Sequence, residues 1–324
     1  MTSSFHRRDF LAASALGAAT FASHSVLAGD EPASAPGPWK TKLHKALIGT
    51  PSEALLKSWK EAGFEGMEST DRGASPDKAE AARKMAEGLG MKIHSVLYGW
   101  ANFNTKSVEG DIKSVETALR ACQGYGASAL LLVPCRIGGM PMPEAWDFDI
   151  RFDEKTGHLK QVAAGDNSKY AKYIEAHDHA VDTSREAIKK LIPAAEKTGV
   201  FIALENVWNN LWVKPDVFQN FVASFDNPWV KAYFDIGNHV KYAPAQEWIR
   251  KLGKLTVKLH VKDFKLNPNG RGGNFVHPRD GSVDWPEVRK AIEEVGYNGW
   301  MTIEDGGLKL EEFNRRLDLI IAEK

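Results

Sequence analysis

The chain has 324 residues, with 42 basic and 42 acidic side chains, and 43% of it is hydrophobic. That balance excludes a basic nucleic-acid binder and a polybasic membrane anchor, and its two cysteines, Cys122 and Cys135, exclude a disulfide scaffold and a four-thiolate zinc site. Length alone suggests about two domains, but one (β/α)8 barrel of about 250 residues fits it as well.

Residues 1–28 read as an address. His6-Arg7-Arg8-Asp9-Phe10-Leu11 sets a twin arginine before an apolar run ending at Phe21, and Val26-Leu27-Ala28 offers a cleavage site. The Arg-Arg-x-Phe-Leu core resembles a twin-arginine export signal. That resemblance implies the export machinery as a partner, a periplasmic destination, and folding with any metal before export. The apolar run is shorter than the roughly 20 residues of a membrane span, so no stable anchor is expected. Residues 29–42, with Pro32, Pro36 and Pro38, read as a linker. A single domain is expected over 43–324.

Within it, short apolar runs alternate with amphipathic stretches. Lys45-Ala46-Leu47-Ile48-Gly49 predicts a first strand, and Ser52 opens a helix with Leu55, Leu56 and Trp59 on one face. Residues 63–68 predict a second strand. Ser75 and Pro76 start a helix over 76–89. Residues 91–96 predict a third strand, followed by a helix over 107–124 that stops at Gly124. The unbroken apolar run 129–134 predicts a strand buried on both faces. Residues 136–165 read as a long irregular insertion, and 168–198 as a long helix. Four cleaner strands follow at 201–205, 231–235, 257–260 and 300–304, with helices near 215–225, 244–252, 284–295 and 308–322. Eight strands alternating with eight helices predict an α/β fold, a single-domain (β/α)8 TIM barrel. No glycine-rich fingerprint follows the first strand, which disfavours a dinucleotide-binding sheet.

The last four strands each end in a metal-ligand type: Glu205, Asp235, His260 and Glu304. Strand C-termini of such a barrel converge on one mouth, so three carboxylates and one imidazole are aimed at one point. Buried charges at strand ends are costly unless paired or metal-bound. Three oxygen donors and one nitrogen suit one divalent ion, Mn²⁺, Mg²⁺, Co²⁺ or Zn²⁺, with Mn²⁺ favoured. Such an ion acidifies the carbon beside a carbonyl, and Glu205 and Glu304 are then candidates for the catalytic acid/base pair.

The order of Leu204-Glu205-Asn206, Phe234-Asp235-Ile236-Gly237-Asn238, Leu259-His260-Val261-Lys262-Asp263, Asp280-Gly281-Ser282-Val283-Asp284-Trp285 and Thr302-Ile303-Glu304 resembles the xylose isomerase-like TIM-barrel superfamily of sugar-phosphate isomerases and epimerases. Gly63-Phe64-Glu65-Gly66-Met67-Glu68 matches its second-strand pattern. The resemblance implies that Glu205, Asp235, His260 and Glu304 are the metal ligands, and that the two glutamates work on opposite faces of a cis-enediolate. Family epimerases often carry a substrate-binding histidine three residues after the aspartate ligand, where this chain has Asn238 with His239 next.

Substrate-binding candidates are Glu68 at the end of the second strand, His94 at the end of the third, Asn206, Trp208 as a stacking aromatic, Asn238, and Lys262 on the His260 face. The leading reading is a metal-dependent isomerase or epimerase of a small carbohydrate. A lyase or dehydratase acting on a keto-sugar, inosose or 3-keto-glycoside shares the same first step. A non-catalytic sugar-binding barrel and an apurinic endonuclease-type phosphoesterase are remoter readings. No nucleic-acid partner is expected, and a homo-oligomer is left open.

Overall fold

The computed structural model describes residues 39–323. The expected export signal, and the linker up to residue 38, lie outside the described residues. The elements run in the order β1 (Leu43–Gly49), α1 (Glu53–Glu61), β2 (Gly66–Ser69), α2 (Pro76–Gly88), β3 (Lys92–Trp100), α3 (Val108–Tyr125) and β4 (Ala129–Val133). A hairpin of β5 (Phe148–Phe152) and β6 (Leu159–Ala163) comes next, then α4 (Ala171–Thr198), β7 (Phe201–Glu205), α5 (Pro215–Ala223), β8 (Val230–Asp235), α6 (Ala245–Leu252) and β9 (Thr256–Val261). A second hairpin of β10 (Asp263–Leu266) and β11 (Gly273–Val276) precedes α7 (Trp285–Glu294), β12 (Gly299–Ile303) and α8 (Leu310–Ile321).

Eight parallel strands close in the order β1-β12-β9-β8-β7-β4-β3-β2, a (β/α)8 TIM barrel. The main core lies between the strand ring and the helices, where residues such as Leu204, Phe234, Leu259 and Ile303 face outward into Trp248, Phe218 and Val288. A smaller apolar group inside the ring, Ala129, Leu131, Val133, Ala203 and Tyr233, fills part of the barrel. Cys122 and Cys135 are separate buried thiols.

Local chemistry explains the element boundaries. Ser52 Oγ accepts the Leu55 N–H at 3.3 Å, and Ser75 Oγ accepts the Lys78 N–H at 3.4 Å ahead of Pro76. The third helix runs past Gly124. A Cβ there would lie 2.7 Å from the Ala79 Cβ, so this glycine lets α3 approach α2 closely, and the stop is Gly126 at φ +68°. The segment expected to be irregular holds the β5–β6 hairpin. The β10–β11 hairpin was not anticipated either, because β9 breaks at Lys262 after an apolar run and the chain turns back as a rim ribbon. No helix among the described residues is long and apolar enough to cross a membrane.

Candidate metal centre

Asp235 ends β8 and is directly paired with His260 of β9, while Thr302 of β12 flanks His260 on its other side. Glu205 ends β7. Glu304 lies one residue past β12, its N–H held by the Val261 carbonyl at 3.1 Å. One ligand atom from each of Glu205, Asp235, His260 and Glu304 falls within 4.8 Å of all the others. The backbone around them is rigidly set. Asn206 Nδ2 donates to the Asp235 carbonyl at 2.8 Å, and Asn206 Oδ1 accepts the Asp235 N–H at 2.6 Å. Asp235 Oδ1 accepts the N–H groups of Gly237 and Asn238 at 2.8 and 2.6 Å. A Cβ on Gly237 would stand 2.7 Å from the Lys262 carbonyl carbon, so only glycine admits this approach.

His260 uses its two ring nitrogens differently. Nε2 contacts Glu68 Oε1 at 2.9 Å. Nδ1 points into the cluster, 3.1 Å from Glu304 Oε2, 3.5 Å from Glu205 Oε1 and 4.0 Å from Asp235 Oδ2. Lys262 Nζ lies 2.8 Å from Glu304 Oε2 and 3.5 Å from Asp235 Oδ2, and donates to Asn238 Oδ1 at 3.3 Å. Despite this crowding, His260 Nδ1, Asp235 Oδ2 and Glu304 Oε2 are buried without a well-formed hydrogen bond. Such orphaned atoms are what a cation ligand set looks like without its ion, so the residues fit a divalent metal with Nδ1 and one oxygen from each carboxylate.

The electrostatics agree. Burial pushes Asp235 up to about 7, with Glu304 and Glu205 adding to the effect and Lys262 opposing it. Burial also raises Glu205. Burial opposes a charged Glu304 and a charged Lys262, but His260 and Lys262 hold Glu304 well below the usual carboxylate range, and Asp235 and Glu304 raise Lys262. Burial likewise opposes the His260 cation and is outweighed by Glu68, Glu205 and Glu304. A cluster in which burial raises Asp235 and Glu205 gains from a divalent cation that favours their charged forms.

The six substrate-binding candidates part company. Lys262 and Glu304 line a cavity of about 590 Å³ with Lys265, Phe275, His277 and Asp305. Asn238 is buried, its Nδ2 3.4 Å from Glu205 Oε1, and so steadies that ligand. Asn206 is fully buried, and its amide is engaged by the Asp235 backbone. Glu68 has no exposure and lies beneath the cluster, because its Oε2 accepts the hydroxyls of Ser95 and Tyr233 while Oε1 holds His260. His94 does not end its strand, which runs on through the alternating residues Val96–Tyr98 to Trp100. It sits near the opposite end, stacked on Trp300 at 4.5 Å, with burial and then Lys258 pressing its pKa well down. Trp208 packs 5.0 Å behind the ring of Phe275, with Lys241 Nζ 3.4 Å over it. Phe275, 45% exposed, is the aromatic that faces the cavity.

His277, Asp305 and Phe275 escaped the sequence reading. Two of them reach the mouth only through the β10–β11 ribbon and the loop after it, which no periodicity announces. Asp305 was visible as the neighbour of Glu304. Two cavities of about 530 and 560 Å³ open around Trp300 at the opposite barrel end, and none of the cluster's residues lines them.

The fold is thus a closed parallel TIM barrel with a four-residue candidate metal site at its mouth. The chain belongs to the xylose isomerase-like TIM barrel family, whose model matches residues 56–317. Among curated proteins it is 24% identical over 158 residues to an uncharacterized protein of Methanocaldococcus jannaschii, covering 44% of this chain and 53% of that one. The chain thus matches about half the length of that relative. Solved structures share the fold. A 3-keto-D-glucoside 4-epimerase from E. coli superposes with a TM-score of 0.61 at 15% identity, covering 87% of this chain and 99% of that one. A mannonate dehydratase from Streptococcus suis gives 0.62 at 13%, covering 87% and 94%. The IOLI protein with a bound zinc atom gives 0.63 at 15%, covering 86% and 98%.

Proposed function

We propose that the chain is a divalent-metal-dependent isomerase or epimerase of a sugar or keto-sugar, working through a cis-enediolate. The observation that carries this reading is the placement of Glu205 and Glu304 in one ligand cluster, on strands separated by β8 and β9 in the ring. A bound cation would polarise the substrate carbonyl and stabilise the negative charge that develops on its oxygen. Glu205 and Glu304 then address the carbon beside that carbonyl from two sides, one removing the proton and the other returning one. Lys262 Nζ adds a fixed positive charge next to the developing oxyanion. Asn238 keeps Glu205 oriented.

The all-oxygen-plus-imidazole donor set favours Mn²⁺ among Mn²⁺, Mg²⁺, Co²⁺ and Zn²⁺. The similarity to an epimerase of a 3-keto-D-glucoside, and to a D-psicose 3-epimerase solved with D-fructose, supports a small carbohydrate substrate. We further propose that the twin-arginine segment directs the protein to the periplasm. Sugar phosphates are cytoplasmic intermediates, so an unphosphorylated sugar or keto-glycoside is the fitting substrate.

The test is solvent deuterium exchange at the carbon beside the carbonyl, across a panel of keto-sugars. The metal-loaded protein exchanges with its substrate, and Glu205→Gln and Glu304→Gln each slow exchange by at least about 100-fold. Wild-type exchange rates in both variants contradict the reading.

A further inference from the structure

The barrel end opposite the metal-ligand cluster gathers positive charge that the proposed reaction does not use. The two cavities of about 530 and 560 Å³ that open there share Asn298, Gly299 and Trp300 as a common wall. Lys254 and Lys258 line the first, and Lys42, Lys60 and Lys92 line the second. Glu65 is the single carboxylate on either lining, and His44 Nδ1 holds it at 2.7 Å.

Lys258 sets this end apart from an ordinary basic surface. It lies on β9 two residues before His260, and the parallel register that pairs Thr302 with His260 puts it beside Trp300. Alternation along the strand turns its side chain, like that of His260, into the barrel. It is 5% exposed and still lines the first cavity. Among the described residues no carboxylate oxygen comes within 4.0 Å of its Nζ, and no protein group accepts a hydrogen bond from it. Glu68 acts on it from farther away, but both Glu68 oxygens are taken by Ser95, Tyr233 and His260. Lys92, from the second cavity, is near enough to repel its charge. A buried amine in this position is costly without an oxygen partner. Lys42, Lys92 and Lys254 likewise have no carboxylate within 4.0 Å among the described residues. The wall they surround is closely packed, because Trp300 stacks on His94 with centroids 4.5 Å apart and leans on His44 at 5.0 Å.

We propose that this end of the barrel is a second ligand site, which takes a doubly charged oxyanion of the phosphate type, with Lys258 as its buried anchor and Lys92 and Lys254 at its rim. Lysine suits phosphate as a point charge that needs no fixed fork geometry. An oxyanion seated beside Trp300 gives Lys258 the partner that the chain withholds and relieves its repulsion with Lys92. The site stands independently of the enolisation reading, since no metal ligand lines either cavity.

The probes are inorganic phosphate and phenyl phosphate, titrated calorimetrically into Zn²⁺-loaded protein at an ionic strength fixed with chloride. Wild type is expected to bind with a dissociation constant of about 1 mM or tighter. Lys258→Met weakens binding at least about tenfold, and Lys92→Ala weakens it about threefold. Lys172→Met, at an exposed position near the start of α4, leaves it unchanged, as does Asp235→Asn at the metal cluster. Circular dichroism matching wild type establishes that Lys258→Met folds. Should it fail to, the double variant Lys92→Ala with Lys254→Ala, both at exposed positions, decides the matter by the same tenfold loss. Tighter binding of phenyl phosphate assigns a phosphomonoester as the ligand and equal binding assigns free phosphate, and either supports the site. No saturable binding of either probe overturns the proposal. So does binding that vanishes in Asp235→Asn and persists in Lys258→Met, which belongs to the metal centre. A Lys258→Met protein with altered melting temperature and wild-type binding also overturns it, leaving that lysine a purely structural role.

Discussion

His260 Nε2 and Glu68 Oε1 are 2.9 Å apart at positions with no solvent exposure, directly beneath the metal-ligand cluster. Glu68 also receives the hydroxyl protons of Ser95 and Tyr233. With Ser95 donating to Glu68, His94 Nδ1, 3.0 Å from Ser95 Oγ, is the donor of that pair, and His94 Nε2 accepts from Thr302 Oγ1 at 3.0 Å. The donors therefore converge on the Glu68 carboxylate from both sides, Ser95 and Tyr233 on Oε2 and His260 on Oε1. Glu68 thus fixes a proton on His260 Nε2 and leaves Nδ1 as the nitrogen that faces the cluster and would ligate a cation there.

Glu68→Gln breaks that ordering, because an amide cannot accept from three donors as a carboxylate does. Partners of a metal-ligating imidazole tune affinity by about 10- to 100-fold, and a loss in that range is expected for Mn²⁺ or Zn²⁺ in chelator competition. Affinity within a factor of two of wild type would show that Glu68 does not govern the His260 tautomer.

Lys262 supplies one positive charge to the Asp235 and Glu304 carboxylates, 3.5 and 2.8 Å away. Lys262→Met leaves those carboxylates with His260 as their one close cation, so the metal-free protein melts at lower temperature. The same variant binds a divalent cation more tightly, by roughly tenfold or more, because a competing charge at close range is removed. Turnover falls because the oxyanion loses a partner. Calorimetric titration and thermal melting separate these effects, and weaker metal binding would assign Lys262 a supporting role instead.

Gly281 is a packing requirement of the rim. A Cβ at this position would collide with the Asp263 carboxylate that anchors the loop. Gly281→Ala is expected to cost about 1–3 kcal/mol and to displace His277 from the cavity wall. Denaturant unfolding reads the first, and the His277 imidazole resonances in NMR read the second. A variant with wild-type stability would mean that the Asp263 clamp is dispensable.

His239 is pressed down to about 3, first by burial, while its Nε2–H holds the Val207 carbonyl at 3.0 Å behind Glu205. The folded chain keeps this ring neutral, whereas the unfolded chain protonates it near 6.5. Its contribution is thus intact above pH 6.5 and is lost as pH falls from about 6.5 towards 3, since the unfolded state binds the extra proton. His239→Gln keeps a donor for Val207 and does not titrate. Its stability between pH 6.5 and 4 should fall less steeply than that of wild type, by about one proton's worth of slope. Identical slopes would place the acid sensitivity elsewhere.

The barrel was legible because buried parallel strands are short, apolar and regularly spaced, and because Glu205, Asp235, His260 and Glu304 interrupt those runs at their ends. What a buried polar residue does inside the ring was not legible. Glu68 and His94 look alike as polar residues on early strands, yet one braces His260 and the other stacks on Trp300 at the far end. The difference is set by where β3 stops, and strand length depends on the neighbouring strands more than on local propensity. The rim was hidden for a related reason. Asp263 collects donors up to 22 residues away, and only the folded ribbon brings His277 to Asp305.

Glu205, Asp235, His260 and Glu304 together present the ligand set for one divalent cation. Metal content of the purified protein after dialysis against Mn²⁺ or Zn²⁺, measured beside Asp235→Asn and His260→Gln, tests it most directly. About one ion per chain is expected in the wild type, and a loss of at least tenfold in affinity in each variant. Wild-type protein that retains no ion, or variants that retain it as well as wild type, would contradict it.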